Sequence, residues 1–203
     1  MKFPDKKYNI IYADPPWTFV GWAKETKEGK KRGDKSPSNH YKVQSMEWIK
    51  KLPVQEISEN NCILFLWVTF PVLKEAFSVI DSWGFNYSTC GFVWVKTNKN
   101  FAVNQTSFLP EDSFNTFTGL GYWTRANAEI CLIAKKGTIE RQSRSVHQLV
   151  YDPIREHSRK PDCVRDRIVE LCGDLPRIEL FARQSVKGWD NWGNQVDKFS
   201  KQS

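Results

Sequence analysis

The chain has 203 residues, enough for one domain with a sizeable core, and 40 % of them are hydrophobic, an ordinary globular share. No apolar run approaches the ~20 residues a membrane span needs, and the charged N-terminus has no secretory apolar region, so a cytoplasmic protein is expected. A net charge of +7 favours an anionic partner without naming one, and nine Trp with thirteen Phe supply rings that suit base stacking.

Tyr8 to Ala13 is apolar and rich in β-branched and aromatic residues, which predicts a buried strand ending at Asp14. Pro15 and Pro16 cannot continue a ladder. Residues 18–40 form a long polar loop with Lys24, Lys27, Lys30, Lys31, Arg32 and Lys35. Ser45 caps a short helix containing Glu47 and Trp48. Cys62 to Thr69 is the clearest buried strand. A helix follows from Pro71 to Gly84, with Val72, Leu73, Ala76, Phe77 and Ile80 on its apolar face. Phe85 to Val95 reads as another strand, 97–124 as a second long loop, and Ala128 to Lys135 as a further strand. Residues 141–160 read as irregular and basic. Pro161 opens a helix with Val164, Ile168 and Leu171 on one face, closed by Gly173. Arg177 to Phe181 is a last buried strand. Strands alternating with helices imply one α/β domain over 1–203, with a mostly parallel sheet and helices on both faces. In such sheets ligands sit at the carboxyl ends of the strands, so Asp14 and Arg183 are expected on one rim. The five cysteines show no C-x-x-C spacing, which predicts reduced thiols with no disulfide framework and no metal site.

Asp14-Pro15-Pro16-Trp17 admits two readings. It is a turn with a core tryptophan, or it is a reaction centre. In the second reading the target is an exocyclic 6-amino group of adenine, whose lone pair is delocalised into the ring. Acceptors that draw its hydrogens would localise that pair. The Asp14 carboxylate and a Pro15 carbonyl aimed by two fixed φ angles supply such acceptors, and Trp17 can stack on a flipped base. The position of the motif, after a buried strand and before a basic loop, favours chemistry.

With Ala13 to Trp17, Leu64 to Thr69, Val93 to Asn98, Lys160 to Asp162, Arg177 to Arg183 and Gly193 to Gln195 in this order, the chain resembles the MTA-seventy (DPPW-motif) family of adenine-N6 methyltransferases. That family includes the catalytic subunit of the eukaryotic messenger-RNA adenine methyltransferase. The resemblance implies a Rossmann-like methyltransferase fold with permuted motif order, the catalytic motif N-terminal and the cofactor motif C-terminal. It implies S-adenosyl-L-methionine as cofactor, with Asp14, Pro15, Lys160, Glu179, Arg183, Asn194 and Gln195 around it. Tyr41 would gate the pocket and Glu129 would lie near the target base. The sequence departs from the family at Gln184, Ser185 and Val186, where Ser185 can keep one hydrogen bond to the cofactor. Few residues precede Asp14, which leaves the adenine end of the cofactor the least supported.

The basic zones, Lys30, Lys31 and Arg32 in the first loop and Arg141, Arg144, Arg155 and Arg159 near Lys160, read as phosphate contacts or as solvated loops. The leading expectation is a DNA adenine methyltransferase of bacterial or phage type. An RNA adenine methyltransferase is the alternative, and a non-catalytic nucleic-acid-binding subunit is a third reading that the intact Asp14 disfavours. A homodimer or a related partner subunit is suggested by the resemblance alone.

Overall fold

The computed structural model describes residues 2–17, 45–98, 116–117, 119, 123–156 and 158–199. Their strands are β1 (Tyr8–Ala13), β2 (Ser58–Val68), β3 (Asn86–Thr97), β4 (Ala128–Lys136), β5 (Leu149–Pro153), β6 (Arg177–Leu180) and β7 (Asp190–Trp192), and their helices are α1 (Met46–Lys50), α2 (Leu73–Ser82) and α3 (Cys163–Cys172). All seven strands join one sheet in the order β5-β3-β4-β2-β1-β6-β7.

Pairing is parallel for β1–β2, β1–β6, β3–β5 and β6–β7, and antiparallel for β2–β4 and β3–β4. The sheet is therefore mostly parallel, as expected, with β4 as the reversed strand. The strands obey a period of two. Ile11, Ala13, Leu64, Leu66, Ile178 and Leu180 face a core that Ile49 of α1 and Ala76, Val79 and Ile80 of α2 complete. Ile10, Tyr12, Phe65, Trp67, Phe92 and Trp94 face the other core, filled by Val164, Ile168 and Cys172 of α3. Helices thus cover both faces. Among the buried indoles, Trp83 donates to the Ile49 carbonyl at 2.9 Å and Trp94 to the Asp152 carbonyl at 2.9 Å, whereas Trp192 Nε1 has no hydrogen-bond partner among the described residues.

Local signals account for the ends of the helices. The Ser45 hydroxyl accepts the Trp48 N–H at 3.2 Å, which caps α1. Gly173 ends α3 at φ +87, a conformation that needs no Cβ, and donates its N–H to the Val169 carbonyl at 2.8 Å. Three sequence expectations are corrected. Residues 141–160 are not wholly irregular, since β5 lies within them. Arg177 to Phe181 is not the last strand, since β7 follows and pairs with β6. Pro161 lies before the N-cap Asp162 instead of inside the first turn of α3. Leu171 packs against the same core as Val164 and Ile168, as expected, and the buried Cys172 joins them by continuing the i, i+4, i+8 series from Val164. The loop 18–40 falls outside the described residues, as does most of 97–124, within which Thr116 bridges antiparallel to Thr97.

The register concentrates chemistry on one rim. Ala13 pairs with Leu66 and with Leu180, so β1, β2 and β6 end together. Asp14, Thr69 and Phe181 leave the sheet there. Because β4 is reversed, its first residues Ala128 and Glu129 lie at the same edge, opposite Val95 and Trp94 of β3. Lys96 pairs with Asp152 near the end of β5, which delivers Arg155 just beyond. β1 has parallel neighbours on both sides, and chain progress diverges from it in two directions. That is the switch point where ligands bind in such sheets.

Candidate active site

A cavity of about 340 Å³ opens at this rim, lined by Asp14, Pro15, Lys96, Glu129 and Lys160 among others. A narrower cleft adjoins it, lined by Tyr12, Arg165, Glu179, Phe181, Gln184 and Phe199. Asp14, Ser158, Arg159, Lys160 and Arg183 line both. The cavity falls within the usual size of a small-ligand pocket.

Four charges of alternating sign run along its floor. Lys160 Nζ donates to Asp14 Oδ2 at 2.8 Å and lies 3.3 Å from Glu129 Oε2, and Lys96 Nζ donates to Glu129 Oε1. Burial disfavours the Lys160 ammonium, but the Asp14 and Glu129 carboxylates outweigh it and raise the lysine above its ordinary range. Burial would raise Glu129 too, but the ammonium groups of Lys160 and Lys96 hold it below the usual carboxylate range. Lys160 stays a cation and Glu129 an anion. Lys160 also sits 5.6 Å from the centroid of the Trp67 ring.

The motif after β1 is locked from beneath. Trp17 is 5 % exposed, belongs to the core under α1 and α2, and donates its indole N–H to the Trp67 carbonyl at 2.9 Å. Its backbone N–H reaches the Pro15 carbonyl at 2.8 Å, closing a tight turn. That carbonyl keeps a second lone pair. Trp17 lines the cavity with the little surface it exposes, so an open stacking platform does not describe it.

In the cleft, Arg165 Nε and Nη2 clasp Glu179 Oε2 and Oε1 at 2.7 and 2.9 Å. Both groups are buried, and Arg165 lies 5.7 Å from the Tyr12 ring centroid. Burial pushes Glu179 upward while the guanidinium fork pulls it back. Tyr12 accepts the Trp67 indole N–H at 2.6 Å, and burial raises its phenol far above its usual range, so it remains neutral.

The residues expected from sequence divide into three groups. Asp14, Pro15, Lys160, Glu129, Arg183, Arg155 and Arg159 line the cavity, and Glu179 lines the cleft. Ser185 and Asn194 are exposed, Gln195 is half-buried, and none of the three is among the lining residues. Ser185 instead accepts the Asn191 side-chain N–H at 3.2 Å. Tyr41, Lys30, Lys31 and Arg32 lie outside the described residues. The structure adds Lys96 and Arg165. A lone cation closing the apolar run of β3 was a usable signal for Lys96. Arg165 had none, since its partner Glu179 is on another element.

The sequence profile of the MT-A70 family matches residues 8–195. The chain is 35 % identical to the Type II methyltransferase M.MunI of Mycoplasma sp, over 96 % of this chain and 80 % of that protein. It is 28 % identical to the human N(6)-adenine-specific methyltransferase METTL4, over 96 % of this chain and 38 % of that protein. It is 25 % identical to the human N(6)-adenosine-methyltransferase catalytic subunit METTL3, over 94 % of this chain and 28 % of that protein. The chain therefore spans most of the mycoplasmal relative and well under half of the two human ones.

Proposed function

The chain belongs to the MT-A70 family, and on that footing we propose that it is an S-adenosyl-L-methionine-dependent methyltransferase acting on the exocyclic 6-amino group of adenine in DNA. The observation that carries this reading is the Asp14–Lys160 pair lining the cavity, where the carboxylate is held by a largely buried ammonium at 2.8 Å. Lys160 engages Asp14 through Oδ2 and fixes its direction. The carboxylate and the remaining lone pair of the Pro15 carbonyl then accept the two amine hydrogens and localise the nitrogen lone pair. Trp17 acts from below, pinning the Pro15–Pro16 turn so that the carbonyl cannot swing. Glu129, itself fixed by Lys96 and Lys160, borders the space for the target base. Transfer to the nitrogen would break the sulfonium carbon–sulfur bond, release the neutral thioether and shed one amine proton, with no covalent bond to the enzyme, so the task left to these residues is to orient the amine.

The donor set suits the cofactor. Lys160 and Arg183 offer cations for a carboxylate, while Asp14 and Glu179 offer anions for an ammonium or a ribose diol. When bound, the cofactor supplies an electrophilic sulfonium methyl. The cleft holds about 20 Å³, room for about one water, so it must widen for a ligand of that size. Phe199, whose N–H bonds the Arg183 carbonyl at 3.1 Å, lines that cleft. We read residues 1–203 as one catalytic domain of cytoplasmic location, with the permuted order of catalytic motif on β1 and cofactor motif after β6. Asn194 and Gln195 would join the cofactor once the cleft opens.

DNA is placed first because the relative covered over 80 % of its length is named a Type II methyltransferase, whereas the chain covers only 28 % of the relative named an adenosine methyltransferase. RNA is the alternative, since human METTL3 is named an adenosine methyltransferase. A duplex substrate would need its adenine flipped into the cavity. The test is Asp14→Ala. It should abolish 6-methyladenine formation in digested nucleic acid while the protein keeps its circular dichroism spectrum. Retained product would remove Asp14 from the mechanism.

A further inference from the structure

Asp162 stands at the N-cap of α3, where an aspartate side chain ordinarily accepts a backbone N–H and stabilises the helix. Its side chain makes no such bond. It receives four side-chain donors instead. Arg155 Nη1 and Arg159 Nη2, the latter at 3.1 Å, converge on Oδ2, and Arg165 Nη1 and Gln184 Nε2 reach Oδ1, each at 2.9 Å. Burial opposes this charge, but the donors from Arg155 and Gln184 and the surrounding guanidinium charges outweigh it and hold the carboxyl at about 2. Asp162 is not among the residues lining the cavity or the cleft, whereas Arg155 and Arg159 line the first and Arg159, Arg165 and Gln184 the second. The carboxylate thus gives up its local capping role to hold groups from both walls.

We infer that Asp162 is the positioning residue of the strand-binding wall. It turns Arg155 and Arg159 so that the exposed parts of their guanidinium groups, on side chains 28 % and 21 % exposed, face a backbone phosphate beside the target base. This rests on the reading of the protein as a nucleic-acid methyltransferase. Other partners hold each arginine only in part. Arg155 also reaches Asp152 at 3.4 Å and the Lys160 carbonyl at 3.1 Å, and Arg159 reaches Glu156 at 3.2 Å. Arg165 keeps its two bonds to Glu179 whatever happens at Asp162, so the cofactor side depends on Asp162 less than the strand side does.

The inference opposes simple electrostatics. Removing a negative charge from a basic surface should tighten nucleic-acid binding. Loss of positioning should weaken it. The test is Asp162→Asn, which keeps the shape and removes the charge, measured by fluorescence anisotropy on an adenine-containing duplex oligonucleotide over a salt series. The expected result is at least fivefold weaker binding. The slope of log affinity against log salt should shrink by about one to two, the value of one or two lost phosphate contacts. In turnover the KM for the oligonucleotide should rise while kcat stays within threefold. Asp162→Glu, which keeps the charge, should recover part of the affinity and is the fallback if the asparagine variant does not fold. Affinity equal to or tighter than wild type, with an unchanged salt slope, overturns the inference. A wild-type protein that binds no nucleic acid overturns the functional reading and this inference with it, whereas a binding wild type matched by Asp162→Asn overturns the inference alone.

Discussion

Replacing Lys160 by Met removes the ammonium that separates Asp14 from Glu129 while keeping most of the packed chain. In the wild type that ammonium lies 2.8 Å from one carboxylate and 3.3 Å from the other, with the lysine side chain 10 % exposed. At an effective dielectric of about 20 these contacts are worth about 6 and about 5 kcal/mol of Coulomb energy. The desolvation of the ammonium, which the variant no longer suffers, offsets a large part. Breaking a buried pair from one side leaves a net loss of about 3–5 kcal/mol. For a domain of this size each kcal/mol moves the melting temperature by about 2–4 °C, so the expected drop is about 6–20 °C at pH 7.5. The pH dependence identifies the cause. In the wild type, the raised Lys160 contributes its full stabilisation below its unfolded value of about 10.4 and loses it only as pH rises through the folded value. The lowered Glu129 contributes above its unfolded value of about 4.3 and loses it as pH falls through the folded value. Between pH 5 and 8 the wild-type contribution is therefore constant. In the variant, Glu129 loses one of the two ammonium groups that hold it below the usual carboxylate range, so it takes a proton more readily and the variant recovers stability on acidification. Differential scanning fluorimetry should thus show a gap between wild type and Lys160→Met that is wide at pH 7.5 and narrower at pH 5. A gap below about 2 °C, or one equal at both pH values, refutes the charge chain as the organiser of the site.

Trp17→Phe leaves the Trp67 carbonyl without its donor at 2.9 Å, and should cost about 1–3 kcal/mol in urea denaturation and lower kcat more than it raises KM. Unchanged stability would show that the indole N–H does not anchor the motif. Glu179→Gln keeps shape but leaves the Arg165 charge buried and half-partnered, for an expected loss of about 3–5 kcal/mol by thermal melting. Asp162 carries a carboxyl held at about 2, so its stabilisation is present above about 3.9 and fades as pH falls toward 2. Since it is nearly half exposed, that contribution is at most about 1 kcal/mol, and the melting curves of wild type and Asp162→Asn should converge over that acid window.

Much of the frame was readable because burial writes itself as continuous apolar sequence. β1, β2 and β4 are such runs, and Asp14 and Lys160, 146 residues apart and set around one cofactor by the resemblance, turn out to be hydrogen-bonded to each other. The strands that escaped are short and lie at the sheet edges. β5 is Leu-Val-Tyr-Asp-Pro, with Leu149 and Tyr151 exposed, and β7 has three residues. Neither offers a periodic signal. The reversal of β4 could not be read either, since strand direction follows from connections and not from composition. In the site, sequence gave the polar identities but not their pairings. Arg155 and Arg159 read as phosphate contacts or as parts of a solvated loop, and the structure engages both with Asp162. Trp17 read as a ring for the base, and its N–H is spent on Trp67.

The central claim is that Asp14, held by Lys160, directs methylation to the 6-amino group of adenine. It is tested most directly by supplying S-adenosylmethionine with a deuterated methyl group alongside duplex DNA, single-stranded DNA and RNA of matched sequence. The digested products are then weighed by mass spectrometry for wild type and Asp14→Ala. The account predicts deuterated 6-methyladenine from the wild type, greatest on DNA, and none from the variant. Label on another base or position, or equal label from the variant, would contradict it.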